Sequence, residues 1–445
     1  MDTTGDRRAA QLLEFIDASP SPWHAGASMA QILERAGFVP LREGDAWDIQ
    51  PGGRYYVTRD HSTIAAFVIG TGSLLKDGFR IIGAHTDSPG FRVKPAGSRI
   101  RNRHHGLDVE IYGGPILATF ADRDLTLAGR VSIRDGDTGD ARTALFHANR
   151  PLVRFPNAAI HLNRQVNQEG LKYQAHDELT LIQGLAREGL PEGPTLQELI
   201  ATDLDVAPEQ VLAWELAVAD TQAGAFFGER NEFVANSQLD NLGSCHAGLC
   251  AIMDADPDSF GGVAVLACFD HEEVGSQSYK GAQGTFLPEL LSRITGAQGI
   301  GEQDRPRVLA RSMVLSADMA HAYHPAFTSL YDSDNAATVN GGPVIKVNAQ
   351  QRYATDAGAE AVFMVLCDEA GVTCQKYIHR NDIPCGSTIG PITGAGLGVR
   401  TVDVGNPMWS MHSIRESAGA QDHGAMIDVM HHYYCRASLP WREAP

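Results

Sequence analysis

The feature that most restricts the fold of this chain is an uninterrupted apolar run, GGVAVLACF, at residues 261–269. Its β-branched and small side chains show no polar alternation, which is typical of a strand covered on both faces. The run ends abruptly in Asp270, His271, Glu272 and Glu273. Since a strand of this kind needs a layer on each side, we expect an α/β fold with these charged residues at the rim of a sheet.

The order of apolar patterns along the chain predicts one domain interrupted by another. Helical periodicity alternates with short apolar runs in the first hundred residues and again after residue 236. Between them, short runs alternate with period two, as in VLAWELAVA, where Leu212, Trp214, Leu216 and Val218 share one face. We therefore predict an α/β domain with helices on both faces of its sheet, built from residues 1–94 and 234–445, and a β-rich insert at residues 95–233.

Charge and composition argue against several classes of partner. The chain has 54 acidic and 36 basic residues and a formal net charge of -18, so its field opposes binding to nucleic acid or to an anionic membrane. No apolar run is long enough to span a membrane, and the N-terminus lacks a signal-peptide pattern. The seven cysteines include no CxxC pair, which favours reduced thiols and a cytoplasmic protein.

Several strand-like segments end in side chains that can bind a metal ion. The carboxyl ends of strands in a doubly wound sheet meet in one crevice, so residues distant in sequence are expected to converge there. Nitrogen and oxygen donors without thiolates suit zinc, and also manganese or cobalt. Three carboxylates and two imidazoles can hold two divalent ions with one bridging carboxylate. The candidates are His85, Asp87, Asp240, Glu272, Glu273, Asp318 and His412.

Seven longer motifs carry a resemblance to a known family. GAHTDSPGFRVKP, NSQLDNL, FDHEEVGS, LSADMAHAYHP, GPVIKVNAQQRYATD, GSTIGPI and MHSIRE follow one another over nearly the whole chain. In order and approximate spacing they resemble the aspartyl aminopeptidase family of dizinc metallopeptidases. The resemblance implies a mixed-sheet zinc-peptidase catalytic domain interrupted by a β-rich dimerisation or lid domain.

The resemblance also implies a division of the metal ligands. His85, Asp240 and Asp318 would hold one zinc ion, and Asp240, Glu273 and His412 would hold the other, with Asp240 as the bridge. Each subunit would therefore bind two zinc ions.

The two adjacent glutamates would then have different tasks. Glu273 is a ligand, whereas Glu272 is the general base that takes a proton from the water between the metals and passes it to the leaving amine. Neighbouring residues on an extended segment point in opposite directions, which would let them reach different targets. Asp87 would orient the imidazole of His85.

Substrate contacts and assembly follow from the same resemblance. His321 and Lys346 match positions that line the pocket for the first side chain of a peptide with a free, acidic N-terminus. His161 matches a histidine that reaches the active site of a neighbouring subunit, although without the resemblance it reads as a hydrogen-bonded histidine on a strand of the insert. The family assembles as tetrahedral dodecamers.

Two other functions are compatible with the fold. One is a self-assembling shell or cargo protein without catalysis, which the retention of Glu272 and the ligand set argues against. The other is a dizinc carboxypeptidase or deacylase, which would not need a free amine on its substrate.

Overall fold

The computed structural model of the chain describes residues 4–186 and 194–441. Residues 1–3, 187–193 and 442–445 of the predicted domains lie outside this part. Its α-helices are α1 Thr4–Asp17, α2 Pro22–Arg35, α3 Leu74–Asp77, α4 Val166–Glu169, α5 Leu196–Asp203, α6 Leu239–Met253, α7 Phe286–Ala297, α8 Arg305–Leu309, α9 Ala357–Glu369, α10 Ile389–Leu397 and α11 Asp422–Cys435.

The strands form three sheets. They are β1 Val39–Leu41, β2 Arg54–Arg59, β3 Thr63–Ile69, β4 Phe79–His85, β5 Gly90–Arg101, β6 His104–Tyr112, β7 Leu125–Arg134, β8 Ala141–His147, β9 Thr180–Leu185, β10 Val211–Asp220, β11 Ala225–Phe227, β12 Phe233–Asn236, β13 Val263–Phe269, β14 Met313–Ala317, β15 Ala320–His321, β16 Val344–Val347, β17 Gln375–Ile378, β18 Arg400–Gly405, β19 Pro407–Trp409 and β20 Glu416–Gly419.

The first sheet has nine strands in the order β1-β2-β3-β13-β4-β14-β18-β16-β17. Strands β13, β4, β14 and β18 are parallel neighbours, whereas β3 pairs antiparallel with β13 and β16 pairs antiparallel with β18. The sheet is therefore mixed, as the fold class predicted.

Helices cover both faces of the first sheet. Along β3, Ala66 and Val68 pack in the same core as α1, α2, α6, α9 and α11, whereas Ala65 and Phe67 pack on the opposite side with α7 and α10. This alternation explains why the central strands read as continuous apolar runs, since neither face meets water. None of the helices formed by residues 4–186 and 194–441 combines the length and the apolarity that a membrane crossing requires.

The second sheet has six antiparallel strands in the order β8-β7-β10-β5-β6-β9, all between Gly90 and Asp220. Its core contains Leu216 and Val218 of β10, as their spacing predicted. The prediction was wrong for Leu212, which is 44% exposed. A register shift between Val211 and Ala213 moves this side chain off the buried face.

A third sheet joins distant parts of the chain in the order β11-β12-β20-β19-β15. Strand β12 pairs antiparallel with β20, so Asn236 lies opposite Glu416. Strand β5 crosses the predicted boundary between residues 94 and 95. The division into residues 1–94, 95–233 and 234–445 remains a prediction.

The parallel strands of the first sheet end side by side. His85, the last residue of β4, lies opposite Phe269, the last residue of β13. Ala317 at the end of β14 lies opposite Val404 near the end of β18. The segments that follow these strands consequently start from one edge of the sheet.

Candidate metal centre

One group of side chains collects around the imidazole of His85, which is 1% exposed. Its Nε2 atom lies 3.4 Å from Asp240 Oδ1, 3.6 Å from Asp318 Oδ1 and 4.0 Å from Glu272 Oε2. Asp318 directly follows β14, and Asp240 lies at the start of α6. Three carboxylates from separate segments thus face one ring nitrogen.

A second group lies on the other side of Asp240. His412 Nε2 is 3.3 Å from Asp240 Oδ2 and 3.4 Å from Glu273 Oε1. Nδ1 of the same ring is 3.0 Å from the carbonyl oxygen of Gly114. Because a carbonyl can only accept, the proton of the neutral ring lies on Nδ1 and Nε2 keeps its lone pair. Asp240 therefore stands between two imidazoles, with one oxygen facing each.

Asp87 connects both groups from behind. Its Oδ1 and Oδ2 atoms accept the backbone N–H groups of Glu272 and Glu273, each at 3.1 Å, and Oδ2 also accepts the hydroxyl of Tyr112 at 2.6 Å. The nearest partner of His85 Nδ1 is the backbone carbonyl of Asp87 at 3.0 Å, with Oδ1 at 3.4 Å. The residue expected to orient one histidine thus also holds the backbone of the two glutamates.

The two glutamates separate because the backbone turns. Glu272–Val274 form a 3-10 turn that follows His271, whose φ is +64°. The expectation of an extended segment at this point was wrong, because the turn directs the N–H groups of Glu272 and Glu273 at the Asp87 carboxylate. The side chains nevertheless diverge: Glu272 approaches His85, and Glu273 approaches His412.

The cluster carries more negative than positive charge. Burial raises the pKa of Glu272 to about 9 and that of Glu273 to about 7, and neighbouring carboxylates add to both shifts. Burial by itself would lower the pKa of His412, but Asp240 and Glu273 outweigh it and raise the pKa to about 11. These shifts favour the protonated form of each of the three groups, and a bound cation would oppose them.

The donor set fits divalent zinc. Bond lengths of about 2.0–2.1 Å around tetrahedral zinc place neighbouring ligand atoms about 3.4 Å apart, close to the 3.3–3.6 Å measured around both imidazoles. One ligand atom each from His85, Asp240 and Glu273 lie within 4.8 Å of one another. Among the described residues, buried Asp240 Oδ1 has no hydrogen-bond donor, as expected for an oxygen that binds a cation.

Comparison with known proteins assigns this arrangement to a family. Residues 15–434 match the family model described as Aminopeptidase I zinc metalloprotease (M18). The chain belongs to the M18 family of zinc aminopeptidases. This is the aspartyl aminopeptidase family, so the resemblance drawn from the motifs is confirmed, and the chain is a hydrolase of the exopeptidase class.

Relatives match over nearly their full length. The chain is 46% identical over 434 residues to the probable M18 family aminopeptidase 2 of Stutzerimonas stutzeri, covering 96% of this chain and 98% of that protein. It is 45% identical over 432 residues to the protein of the same description from Pseudomonas aeruginosa, with the same coverage.

Solved structures share the fold. The match to the cryo-EM structure of the Ape4 and Nbr1 complex has a TM-score of 0.93 and 37% identity, covering 97% of this chain and 86% of that one. The match to Chaetomium thermophilum mApe1 has a TM-score of 0.85 and 29% identity, covering 97% of both chains. The S. cerevisiae mApe1 dodecamer has the same fold, with a TM-score of 0.84, 24% identity and 96% coverage of both chains.

In the aminopeptidase, Lys346 is buried beside the metal centre. It is 2% exposed, and Nζ donates to the backbone carbonyls of Asp318 and Met319 at 2.8 and 3.1 Å. Nζ also lies 3.4 Å from Asp318 Oδ2 and 5.2 Å from the centre of the Tyr353 ring. The lysine therefore already has partners within the chain.

His321 ends the short strand β15 in the same region. Its ring centre lies 5.7 Å from that of Tyr377 and 6.0 Å from that of His379. Burial lowers the pKa of His321 to about 4, and the charges of His379 and Lys346 add to this shift. A negatively charged ligand would oppose the repulsion from these neighbours.

His161 lies outside the strands of the second sheet. It is exposed in a turn within residues 157–178, a segment that is exposed along most of its length. The alternative reading as a strand histidine is wrong, because the chain forms turns here. An exposed side chain on an exposed segment is accessible to a neighbouring subunit.

Sequence reasoning missed three groups that hold the ligands in place: the Tyr112 hydroxyl, the Gly114 carbonyl and Glu416. The Glu416 carboxylate, 1% exposed, accepts the backbone N–H of Asp240 at 3.0 Å and that of His412 at 2.6 Å. Glu416 closes the MHSIRE motif, so its position was visible, whereas a backbone carbonyl leaves no signal in residue types.

Proposed function

We propose that the protein removes N-terminal residues from peptides at a centre of two zinc ions, with a preference for aspartate and glutamate. The observation that carries the proposal is the divergence of the two adjacent glutamate side chains. Glu272 faces His85 and Glu273 faces His412, with Asp240 between the two histidines. One zinc ion would be held by His85, Asp240 and Asp318, and the other by Asp240, Glu273 and His412; manganese or cobalt would suit the same donors.

The residues around the metals supply positioning and proton transfer. Zinc ions at these positions would polarise the scissile carbonyl and make a water molecule acidic near neutral pH. Glu272, which is not among the five ligands, accepts the proton of that water and donates it to the leaving amine. Burial raises the pKa of Glu272, and a bound zinc ion would oppose this shift and keep the carboxylate ionised, as a base must be. Asp87 fixes the backbone of both glutamates.

The preference for an acidic residue rests on Lys346 and His321. The Lys346 ammonium donates two of its hydrogens to the backbone carbonyls of Asp318 and Met319. The third faces Asp318 Oδ2 at 3.4 Å, which is long for a charged hydrogen bond. A substrate carboxylate would compete for this hydrogen, and His321 offers a second donor nearby.

Matched substrates test the activity and the preference together. With chromogenic aminoacyl reporters, kcat/KM is expected to be at least about 10-fold higher for Glu than for Gln and for Asp than for Asn, because a hydrogen bond to a charged group contributes about 1.5–3 kcal/mol. The N-acetylated reporters should not be cleaved. Release of the chromophore from the acetylated forms would indicate an endopeptidase, and release of acetate would indicate a deacylase. Equal rates for Glu and Gln would refute the acidic preference.

We further infer a homo-oligomer, by the family resemblance a tetrahedral dodecamer, in which His161 completes the active site of a neighbouring subunit. The S. cerevisiae protein of the same fold is described as a dodecamer, and residues 157–178 are exposed along most of their length. A cytoplasmic location is proposed as well, since all seven cysteines are free.

His161→Ala is expected to lower kcat by about 10-fold or more without changing zinc content or sedimentation, because the residue touches substrate rather than metal. His176, exposed in the same segment, provides the matched control: His176→Ala should retain wild-type kcat. Co-assembly of His161→Ala with Glu272→Gln subunits should restore activity, since some sites then combine an intact base with an intact partner histidine. A fully active monomer, or no recovery in mixed oligomers, would contradict the shared site.

A further inference from the structure

The loop that follows β6 reaches from the second sheet into the metal centre. Residues 112–119, YGGPILAT, begin with the last residue of β6, a strand that pairs with β5 and β9. None of the five proposed ligands lies in this loop. Its contacts with the residues around the ligands are nevertheless numerous, and they involve both the donors and the acceptors of its backbone.

The loop binds the His412 segment at three points. The Gly114 carbonyl accepts Nδ1 of His412 at 3.0 Å, and the Ile116 N–H donates to the His412 carbonyl at 2.9 Å. The Thr119 hydroxyl accepts the N–H of Ile414 at 3.1 Å. The first bond fixes the tautomer and the direction of the ring, and the others fix the backbone that carries it.

The same loop also contacts the Glu273 side of the centre. The Tyr112 hydroxyl donates to Asp87 Oδ2, which accepts the Glu273 N–H. Gly113 has φ +67°, and a Cβ atom at this position would lie 3.1 Å from Glu273 Cβ and 3.2 Å from the Glu273 carbonyl oxygen. A larger residue here would adopt an unfavourable positive φ and would displace Glu273 by a few tenths of an ångström.

We propose that residues 112–119 are a positioning element of the metal centre, which holds His412 and the Glu273 backbone in place and thereby sets the affinity of the second zinc position. The inference rests on the proposed ligand set. Among the described residues, the loop makes no hydrogen bond to His85 or Asp318, and only Tyr112 reaches the first zinc position indirectly, through Asp87. The two positions should therefore respond differently when Gly113, which faces Glu273, is altered.

Gly113→Ala tests this element because the added methyl group would lie too close to Glu273 and displace it. In zinc titrations of the metal-free protein, with a competing chelator, one of the two ions should bind about 10- to 100-fold more weakly. This is the usual loss of affinity when a residue that supports a metal ligand is altered. The other ion should keep its affinity within about 2-fold. Gly139→Ala is the matched control: Gly139 lies in the turn between β7 and β8 with φ +77°, and no atom of the described residues lies within 4 Å of an added Cβ. Both ions should bind this control as they bind the wild type.

Tyr112→Phe tests the same inference if the Gly113→Ala variant does not fold. It keeps the ring and removes one hydrogen bond to Asp87, so zinc affinity at the second position should fall by about 10-fold. Wild-type affinity in both variants, or an equal loss at both zinc positions in Gly113→Ala, would overturn the inference. A wild-type protein that binds a single zinc ion, or a Glu273→Gln variant that keeps two at full affinity, would instead refute the proposed ligand set.

Discussion

Glu272→Gln is expected to lower kcat by about 10²- to 10⁴-fold, the usual cost of losing a general base, while the protein keeps both zinc ions. Glutamine has the size and shape of glutamate but cannot accept the proton of the attacking water. The side chain stands 4.0 Å from His85 Nε2 and outside the proposed ligand set. Turnover of a glutamyl reporter and zinc analysis of the same sample measure both parts of this expectation.

Excess zinc should not restore the activity of Glu272→Gln, because no ion is missing. Loss of a zinc ion from this variant would make Glu272 a ligand. Wild-type turnover would mean that the turn after β13 takes no part in catalysis.

Glu273→Gln is expected to lose the second zinc ion rather than the proton acceptor. Its Oε1 lies 3.4 Å from His412 Nε2 on the far side of Asp240, and a neutral amide oxygen is a weaker ligand than a carboxylate. Zinc affinity at this position should fall by more than about 100-fold. Mutation of a residue that only hydrogen-bonds to a metal ligand already lowers metal affinity about 10- to 100-fold. Zinc analysis after dialysis should therefore give one ion per subunit.

Added zinc should recover part of the turnover of Glu273→Gln, whereas Glu272→Gln should not respond. The two variants differ by one position in the chain, so each serves as the control of the other. If Glu273→Gln retained two ions while Glu272→Gln retained one, the two roles would have to be exchanged.

The sequence predicted the parts of the fold that depend on local pattern. The apolar run at residues 261–269 forms β13 in the centre of the sheet, buried on both faces. His85, Asp240 and Glu273 meet because the strands or helices that carry them start or end at the same edge. Strand periodicity and the geometry of parallel strands were sufficient for this step.

Features that depend on backbone contacts between distant segments could not be predicted. The Gly114 carbonyl that fixes His412 would be equally present with any residue at position 114. The 3-10 turn at Glu272 directs two backbone N–H groups at Asp87, and the exposure of Leu212 follows from a bulge. The partners of Lys346 are likewise backbone carbonyls. In each case the deciding atom belongs to the main chain, which carries no sequence information.

The proposed ligands come from five segments spread between residues 85 and 412, and this spread has a consequence for folding. No short stretch of the unfolded chain contains a complete site, so zinc would bind the native state far better than the denatured one. The two ions would then act as cross-links between segments, including those on either side of the whole second sheet. Resistance to thermal unfolding would rise with the logarithm of the free zinc concentration, so zinc supply would govern the lifetime of the folded enzyme as well as its activity.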